Sequence, residues 1–225
     1  MAYYENSIDR YHTTLDMIVP ELSQLEDPVI YDVGGYGYMT DIIRKKFGFN
    51  RLYDVASPDL NTIQLDLEDN SADFVLLCEV IEHLYNPDLV LSECRRVLKK
   101  NGTLVLTTPN LASWFNRILL VTGYFPMNMD ISCQLRYSGK KDILSKKPVS
   151  GVLFNPLYDV HVRLYTVRTL EILFKEWRFE VVDTCGYVVS ESTNHNINFA
   201  LDMINRFFGQ FTSLAQGLVL KAKAV

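Results

Sequence analysis

The sequence predicts an α/β domain built on a doubly wound, mostly parallel sheet, and three observations carry that expectation. Short apolar runs alternate with segments whose apolar residues recur every three or four positions. A glycine-rich turn, 34–37, stands directly between the first apolar run and the first such helical stretch. Acids fall where successive runs end: Asp32, Asp54 and Asp66. In an open α/β sheet the carboxyl ends of the strands form the edge that binds ligands, so these acids are placed to meet one.

Each element follows from local pattern. In residues 3–25, Ile8, Tyr11, Leu15, Ile18 and Leu22 make a helical stripe ahead of the sheet. Residues 29–33 form the first strand. Met39, Ile42, Ile43 and Phe47 give the next helix one apolar face, and Gly48 ends it. Short strands are expected at 52–55 and 62–65, and a fourth, buried on both faces, at 74–78. Asn86, Pro87 and Asp88 start a helix with an N-cap, a proline at the first position and an acid near the positive dipole end; Asn101 and Gly102 stop it. Residues 103–108 form a fifth strand closed by Pro109. An irregular insertion, 111–159, follows, with an amphipathic helix over 111–121 and a basic cluster, Lys140, Lys141, Lys146 and Lys147. Thr166 caps a helix whose apolar side is Val167, Leu170, Phe174 and Trp177. Strands 179–183 and 218–222 close the chain, and a late hairpin-like pair puts one antiparallel strand into the sheet. The whole, 1–225, reads as one domain with a helical prefix, 1–27, and an insertion, 111–160, over the substrate.

A net charge of −5 gives no reason to expect a polyanionic partner, so nucleic acid is not indicated. The four cysteines are scattered, without the spacing of a zinc site or a disulfide framework. The first residues carry tyrosines and an acid where a secretion signal has a basic start, and no run of ~18 apolar residues occurs. A cytoplasmic protein without a transmembrane segment is expected.

Several residues carry chemistry. Asp32-Val33-Gly34-Gly35-Tyr36-Gly37 lets the backbone turn tightly and approach a ligand; a purely structural turn is the alternative. Asp54, about 22 residues after Asp32, is positioned as an acceptor for ribose hydroxyls, or is an ordinary turn carboxylate. Asp66 and Leu67 suit an adenine amino group and ring. His83, in the block Cys78-Glu79-Val80-Ile81-Glu82-His83, and His161 are candidate bases near neutral pH; for His83 the competing role is to cap the following turn or hydrogen-bond the backbone. His161, Arg163 and Tyr165 share one side if that segment is extended, facing a substrate or forming a structural cluster. Asn110, past Pro109, is an edge position or a turn residue.

Together, residues 32–37, Asp54, Asp66, the block 78–84, Leu98 to Asn110 and the segment from His161 to Thr166 resemble class I S-adenosylmethionine-dependent methyltransferases, most of all the branch related to ubiquinone-biosynthesis O-methyltransferases. The resemblance covers about residues 28–185. It implies a Rossmann-like, seven-stranded sheet of order 3-2-1-4-5-7-6 and S-adenosylmethionine as cofactor, with no metal. It implies that Asp32, Gly34, Gly35, Tyr36 and Gly37 surround the methionine part, Asp54 and Val55 the ribose, Asp66 and Leu67 the adenine, and Cys78, Glu79 and Val80 the sulfonium. With it, a methyl acceptor that is small, glycan-linked or lipid-linked and methylated at oxygen is the favoured expectation, with Asn110, Arg163 and Tyr165 as candidate contacts from their own positions.

One departure stands out: Tyr36 and Tyr38 occupy positions where the family has glycine. Either the turn is rearranged with a tyrosine in the pocket, or cofactor binding is weakened. Two alternatives stay open: a binding or regulatory module of the same fold without turnover, and a nicotinamide-dependent enzyme, since Gly35, Gly37, Thr40 and Asp54 imitate a dinucleotide fingerprint lacking its third glycine. The stripe in 111–121 suits a lid packed on its own domain, or contact with a lipid-like substrate, a membrane surface or a second subunit.

Overall fold

The computed structural model describes residues 8–35, 37–55, 59–62, 64–130, 160–188 and 197–225. Helix α1 (Ile8–Leu22) precedes β1 (Ile30–Val33), α2 (Tyr38–Phe47), β2 (Leu52–Val55) and β3 (Ala72–Cys78). A 3-10 turn, Ile81–His83, leads into α3 (Pro87–Val97) and β4 (Leu98–Pro109). Then come α4 (Trp114–Val121), α5 (Val167–Glu176), β5 (Phe179–Tyr187), α6 (Ile197–Gly209) and β6 (Gly217–Ala224). The basic cluster 140–147, most of the insertion and Tyr36 lie outside the described residues.

The strands form one sheet in the order β2-β1-β3-β4-β6-β5. β1 to β4 run parallel, and β6 lies antiparallel to both β4 and β5, so the expected reversed strand is present. The expected third strand is corrected: none of the described residues of 62–65 joins the sheet. The Leu65 N–H donates to the Glu93 carboxylate at 2.9 Å, and Arg96 donates to the carbonyls of Leu65 and Leu67 at 2.9 and 2.7 Å. Side chains of α3 thus satisfy groups that a sheet ladder would have taken, which leaves β2 as the edge strand.

Alternation along the strands sorts the core into two layers. Phe74 and Leu76 of β3 face α1 and α2 with Ile30, Leu52, Val105 and Val219. Val75 and Leu77 face α3 and α5 with Leu104, Leu106, Leu218 and Leu220. Each fully buried Leu, Ile or Phe contributes about 1.5–3 kcal/mol, so this double layer is the main stabilising element. Helix α1 belongs to the same body: Ile18 and Leu22 are buried, Thr103 donates to Glu21 at 2.6 Å, and Lys223 pairs with the same carboxylate.

Caps follow the sequence except at α3, which ends at Val97 with Leu98 as its cap, so Asn101 and Gly102 lie inside β4 instead of stopping the helix. Gly48 closes α2 at φ 73°, and Thr166 and Thr169 form a reciprocal cap on α5. Pro87 opens α3, but the Asn86 side chain makes no cap bond and reaches Asn61 instead.

Glu93 should therefore be a keystone for the loop carrying Asp66 and Leu67. Hydrogen bonds from Arg96 hold its carboxyl below the ordinary range, with burial opposing and the Leu65 N–H adding. A depressed acid contributes stability above its unfolded pKa of ~4.3, lost as pH falls through the folded value. Glu93→Ala is expected to cost about 1–3 kcal/mol in urea unfolding at neutral pH, with the loss shrinking in acid.

Candidate functional site

The site lies at the carboxyl edge, where β1, β2, β3 and β4 end side by side. Asp32 and Asp54 are register partners on β1 and β2, so their side chains emerge together. Asp32 is only 2% exposed, and its Oδ1 has no hydrogen-bond partner. Burial first, and then the Asp54 charge, push its carboxyl up to about 7. Asp54 is exposed, and Thr40 of α2 donates to its Oδ1 at 2.7 Å.

The glycine turn is built around these two acids. A Cβ on Gly35 would lie 2.2 Å from either Asp32 oxygen, and one on Gly37 would lie 2.7 Å from Asp54 Oδ2. Gly34 and Gly37 also sit at positive φ, 73° and 75°. The glycines are needed at 35 and 37 because the chain passes directly over the carboxylates. Tyr38, at the start of α2, stands 4.4 Å from the ring of Tyr11 on α1 and is half turned to solvent.

Beyond β3, Glu79 holds a left-handed conformation, φ 55°, and its carboxylate is the hub of a buried network. Thr107 and Tyr187 each donate to its Oε1 at 2.9 Å, and Arg10 of α1 pairs with its Oε2 at 3.1 Å. Burial, and then the Glu79 charge, raise the Tyr187 hydroxyl well above its ordinary value. The Arg10 Nε is buried without a partner. Burial first, and then Asp32, push the Cys78 thiol up, while Arg10 pulls it down and Glu79 adds to the rise. Asp32, Arg10 and Glu79 therefore converge around the end of β3. Val80 is buried against Gly34; Val55 and the half-buried Leu67 pack on the core, with Asp66 exposed beside them.

A second group lies one turn further on. Glu82 is fully buried; Thr108 donates to its Oε2 at 3.0 Å and its Oε1 has no partner. Burial, and then the Glu79 charge, hold its carboxyl well above the usual range. The rings of His83 and His161 meet edge to face at 4.6 Å. His83 Nδ1 lies 3.0 Å from the Val160 carbonyl, and His161 Nδ1 lies 2.6 Å from that of Asn128. A carbonyl only accepts, so in each neutral ring Nδ1 carries the hydrogen and Nε2 the lone pair. Among the described residues, Glu82, His83 and His161 have ligand atoms all within 4.8 Å of one another, a donor set that fits a divalent cation.

The remaining sequence candidates separate. His161, Arg163 and Tyr165 do not share one surrounding: the amides of residues 162 and 163 both donate to the Glu82 carbonyl, which bends the segment. Arg163 is exposed and donates to the Tyr85 carbonyl at 3.2 Å. Tyr165 is buried in the core with its hydroxyl unpartnered, and burial pushes that hydroxyl up to about 12. Asn110 is corrected from an acceptor contact to a staple. It is 1% exposed, donates to the Ala215 carbonyl at 2.8 Å and accepts from the Ala112 N–H at 2.9 Å. Arg10, Thr107 and Tyr187 escaped the sequence reading, and Thr40 entered it only through the nicotinamide alternative. Arg10 alone had a signal, since it shares the buried stripe of α1 with Thr14 and Ile18.

A glycine turn over paired acids at the carboxyl edge of an α/β sheet is where such folds bind nucleoside ligands, and comparison with known proteins narrows the class. The family model described as a methyltransferase domain matches residues 29–106. Probable S-adenosylmethionine-dependent methyltransferases of Mycolicibacterium smegmatis and Mycobacterium tuberculosis are 44% identical to the chain over 50 residues. Those matches cover 22% of this chain and only 20% and 18% of the two relatives. Among solved structures, a Haloferax volcanii methyltransferase in complex with the Trm112 methyltransferase activator shares the fold at a TM-score of 0.59 and 15% identity, over 99% of this chain and 93% of that one. A Methanosarcina mazei S-adenosylmethionine-dependent methyltransferase shares it at 0.54 and 16%, over 92% and 97%. Residues 29–106 thus match a methyltransferase domain, the matching relatives are S-adenosylmethionine-dependent, and the fold of the whole chain is shared with such enzymes, which weighs against the nicotinamide alternative. The narrower likeness to the ubiquinone-biosynthesis branch remains a resemblance.

The raised Asp32 carboxyl has a measurable consequence. An acid whose folded pKa is raised keeps its proton after the unfolded chain has lost it, so stability declines as pH rises from ~4 to the folded value of about 7. Asp32→Asn should therefore raise the ligand-free melting midpoint at alkaline pH, by about 2–4 °C per kcal/mol, and change it little in acid. Thermal unfolding at the two pH values checks this.

Proposed function

We propose that this chain transfers a methyl group from S-adenosylmethionine to the oxygen of a small, glycan-linked or lipid-linked acceptor. The observation that carries this is the pairing of two unsatisfied buried groups of opposite character at one edge: the Asp32 carboxyl and the Arg10 Nε–H. An amino acid zwitterion, such as the methionine part of the cofactor, offers an ammonium to the first and a carboxylate to the second. Gly34, Gly35 and Gly37 let it approach; Asp54 takes the ribose hydroxyls, and Asp66 and Leu67 take the adenine. Glu79 and Cys78 border the sulfonium, whose positive charge the Glu79 carboxylate favours. The cytoplasm is the proposed location, supported by the scattered cysteines.

The chemistry asks for little beyond placement. An acceptor oxygen lone pair forms the new bond to carbon as the carbon–sulfur bond breaks and its electron pair returns to sulfur. In-line positioning and exclusion of water supply most of the acceleration. A hydroxyl must also lose its proton, and the Nε2 lone pair of His83 or His161 takes it. Arg163, exposed beside the Tyr85 carbonyl, lines the approach from the insertion side.

The Glu82, His83 and His161 cluster favours a second reading of how the acceptor is held. A divalent cation bound there would grip the acceptor oxygen in place of a histidine base, and the unpartnered Glu82 Oε1 supports it. A rise in melting midpoint with magnesium or manganese, lost in Glu82→Gln, separates the two.

Calorimetry with S-adenosylhomocysteine is the test. The native protein should bind, and Asp54→Ala should bind at least roughly tenfold more weakly, the value of one charge-assisted pair. No binding by the native protein at about 1 mM ligand would end the proposal. Tight binding without product from any acceptor would favour the module without turnover. Given an acceptor, His83→Ala or His161→Ala should lower kcat by about 10²–10⁴ with cofactor affinity intact.

A further inference from the structure

The first turn of α1 touches both loops that flank the carboxyl edge. On one side the ring of Tyr11 packs at 4.4 Å on that of Tyr38, which follows the glycine turn and starts α2. On the other, Arg10 pairs with Glu79, in the loop after β3, at 3.1 Å. The two α1 side chains are also joined to each other. Arg10 Nη2 donates to the Tyr11 hydroxyl at 2.8 Å, and the guanidinium carbon lies 4.6 Å from the centre of the Tyr11 ring. A continuous chain of contacts, Tyr38 to Tyr11 to Arg10 to Glu79, therefore crosses the edge from the glycine turn to the end of β3.

Both ends of that chain are anchored. Tyr38 is carried by α2, and Glu79 is fixed by Thr107 and Tyr187, which each donate to its Oε1 at 2.9 Å. The Tyr187 ring is itself confined, since a Cβ on Gly217 of β6 would lie 1.9 Å from its Cζ. The guanidinium is thus held at Nη1 by a carboxylate and at Nη2 by a phenol, while the buried Nε has no partner. An arginine ordered before its ligand arrives loses less conformational entropy on binding, so residues that order it raise affinity without touching the ligand.

We infer that Tyr11 is a positioning residue that aims the Arg10 guanidinium, and that through this pair α1 recognises the amino-acid part of the cofactor. The inference rests on the reading above in which the Arg10 Nε–H takes the methionine carboxylate. The pair with Glu79 at Nη1 leaves the plane of the guanidinium able to turn about that one contact. The Tyr11 hydroxyl supplies the second contact, and its ring supplies a face that attracts the cation. Asp54, Asp66 and Leu67, assigned to the adenosine part, have no place in this chain of contacts.

Calorimetry with two ligands tests it. S-adenosylhomocysteine carries the amino-acid part, and 5′-methylthioadenosine, with the same adenosine and thioether, lacks it. The native protein should bind the first at least roughly tenfold more tightly. Tyr11→Ala should weaken S-adenosylhomocysteine by roughly tenfold and 5′-methylthioadenosine by less than about twofold. Tyr11→Phe, which keeps the ring on Tyr38 and removes the acceptor for Nη2, should weaken the first by about threefold or more and again spare the second. Thermal unfolding without ligand verifies that each variant is folded, and Tyr11→Phe carries the test if Tyr11→Ala does not fold. Equal losses for the two ligands in Tyr11→Phe would make Tyr11 a merely structural part of α1 and overturn the inference. A native preference for S-adenosylhomocysteine that survives unchanged in the folded variants would overturn it alone. A native protein that binds both ligands equally would remove the assignment of Arg10 to the carboxylate, and the inference with it.

Discussion

An unpaired carboxyl at the end of β1 is the constraint around which this protein is arranged. Asp32 is buried with its Oδ1 unpartnered, and that burial, with the Asp54 charge, raises its carboxyl to about 7 and so favours the protonated form in acid. The parallel register of β1 and β2 sets Asp54 beside it, and the glycine turn is shaped by the space the two carboxyls need. A side chain at residue 35 would occupy the place of the Asp32 oxygens. The turn is thus defined by the acids beneath it, and tyrosine at 38 is accommodated because that position begins α2 and packs on Tyr11.

Helix α1 connects this edge to the rest of the fold. Its apolar face completes one layer of the core, while Glu21 anchors one end to β4 and β6 and Arg10 reaches the carboxyl edge of the sheet at the other. Arg10, Thr107 and Tyr187, from three separate elements, all converge on Glu79. Such a network, converging on one carboxylate, fixes the loop after β3 more firmly than any one bond would. By contrast Glu82 is left half satisfied, with His83 and His161 beside it, which is the pattern of a place where something else is to be bound.

Much of this was legible in the sequence because two periodicities and the strand-end acids are local signals. The alternation that places Phe74 and Leu76 on one layer and Val75 and Leu77 on the other needs only a strand to be recognised. Asp32, Asp54 and the two histidines stand out for the same reason. What escaped depends on partners distant in the chain. Residues 62–65 resemble a strand, but Glu93 and Arg96 compete for their backbone groups. Asn110 sits at a ligand edge, yet Ala215, brought in by β6, takes its amide. Arg10 is drawn to the strand ends by Glu79, a partner far along the chain.

The central claim is that Asp32 holds a proton in readiness for a cationic ligand, and proton release on cofactor binding tests it most directly. Calorimetry of S-adenosylhomocysteine binding at about pH 6 in buffers of different ionisation enthalpy counts that release. An ammonium beside Asp32 must lower its pKa from about 7 toward the ordinary value of ~4. Release approaching one proton per cofactor in the native protein, and near zero in Asp32→Asn, is the predicted result. Binding with no proton release, or with the same release in both proteins, would contradict the account.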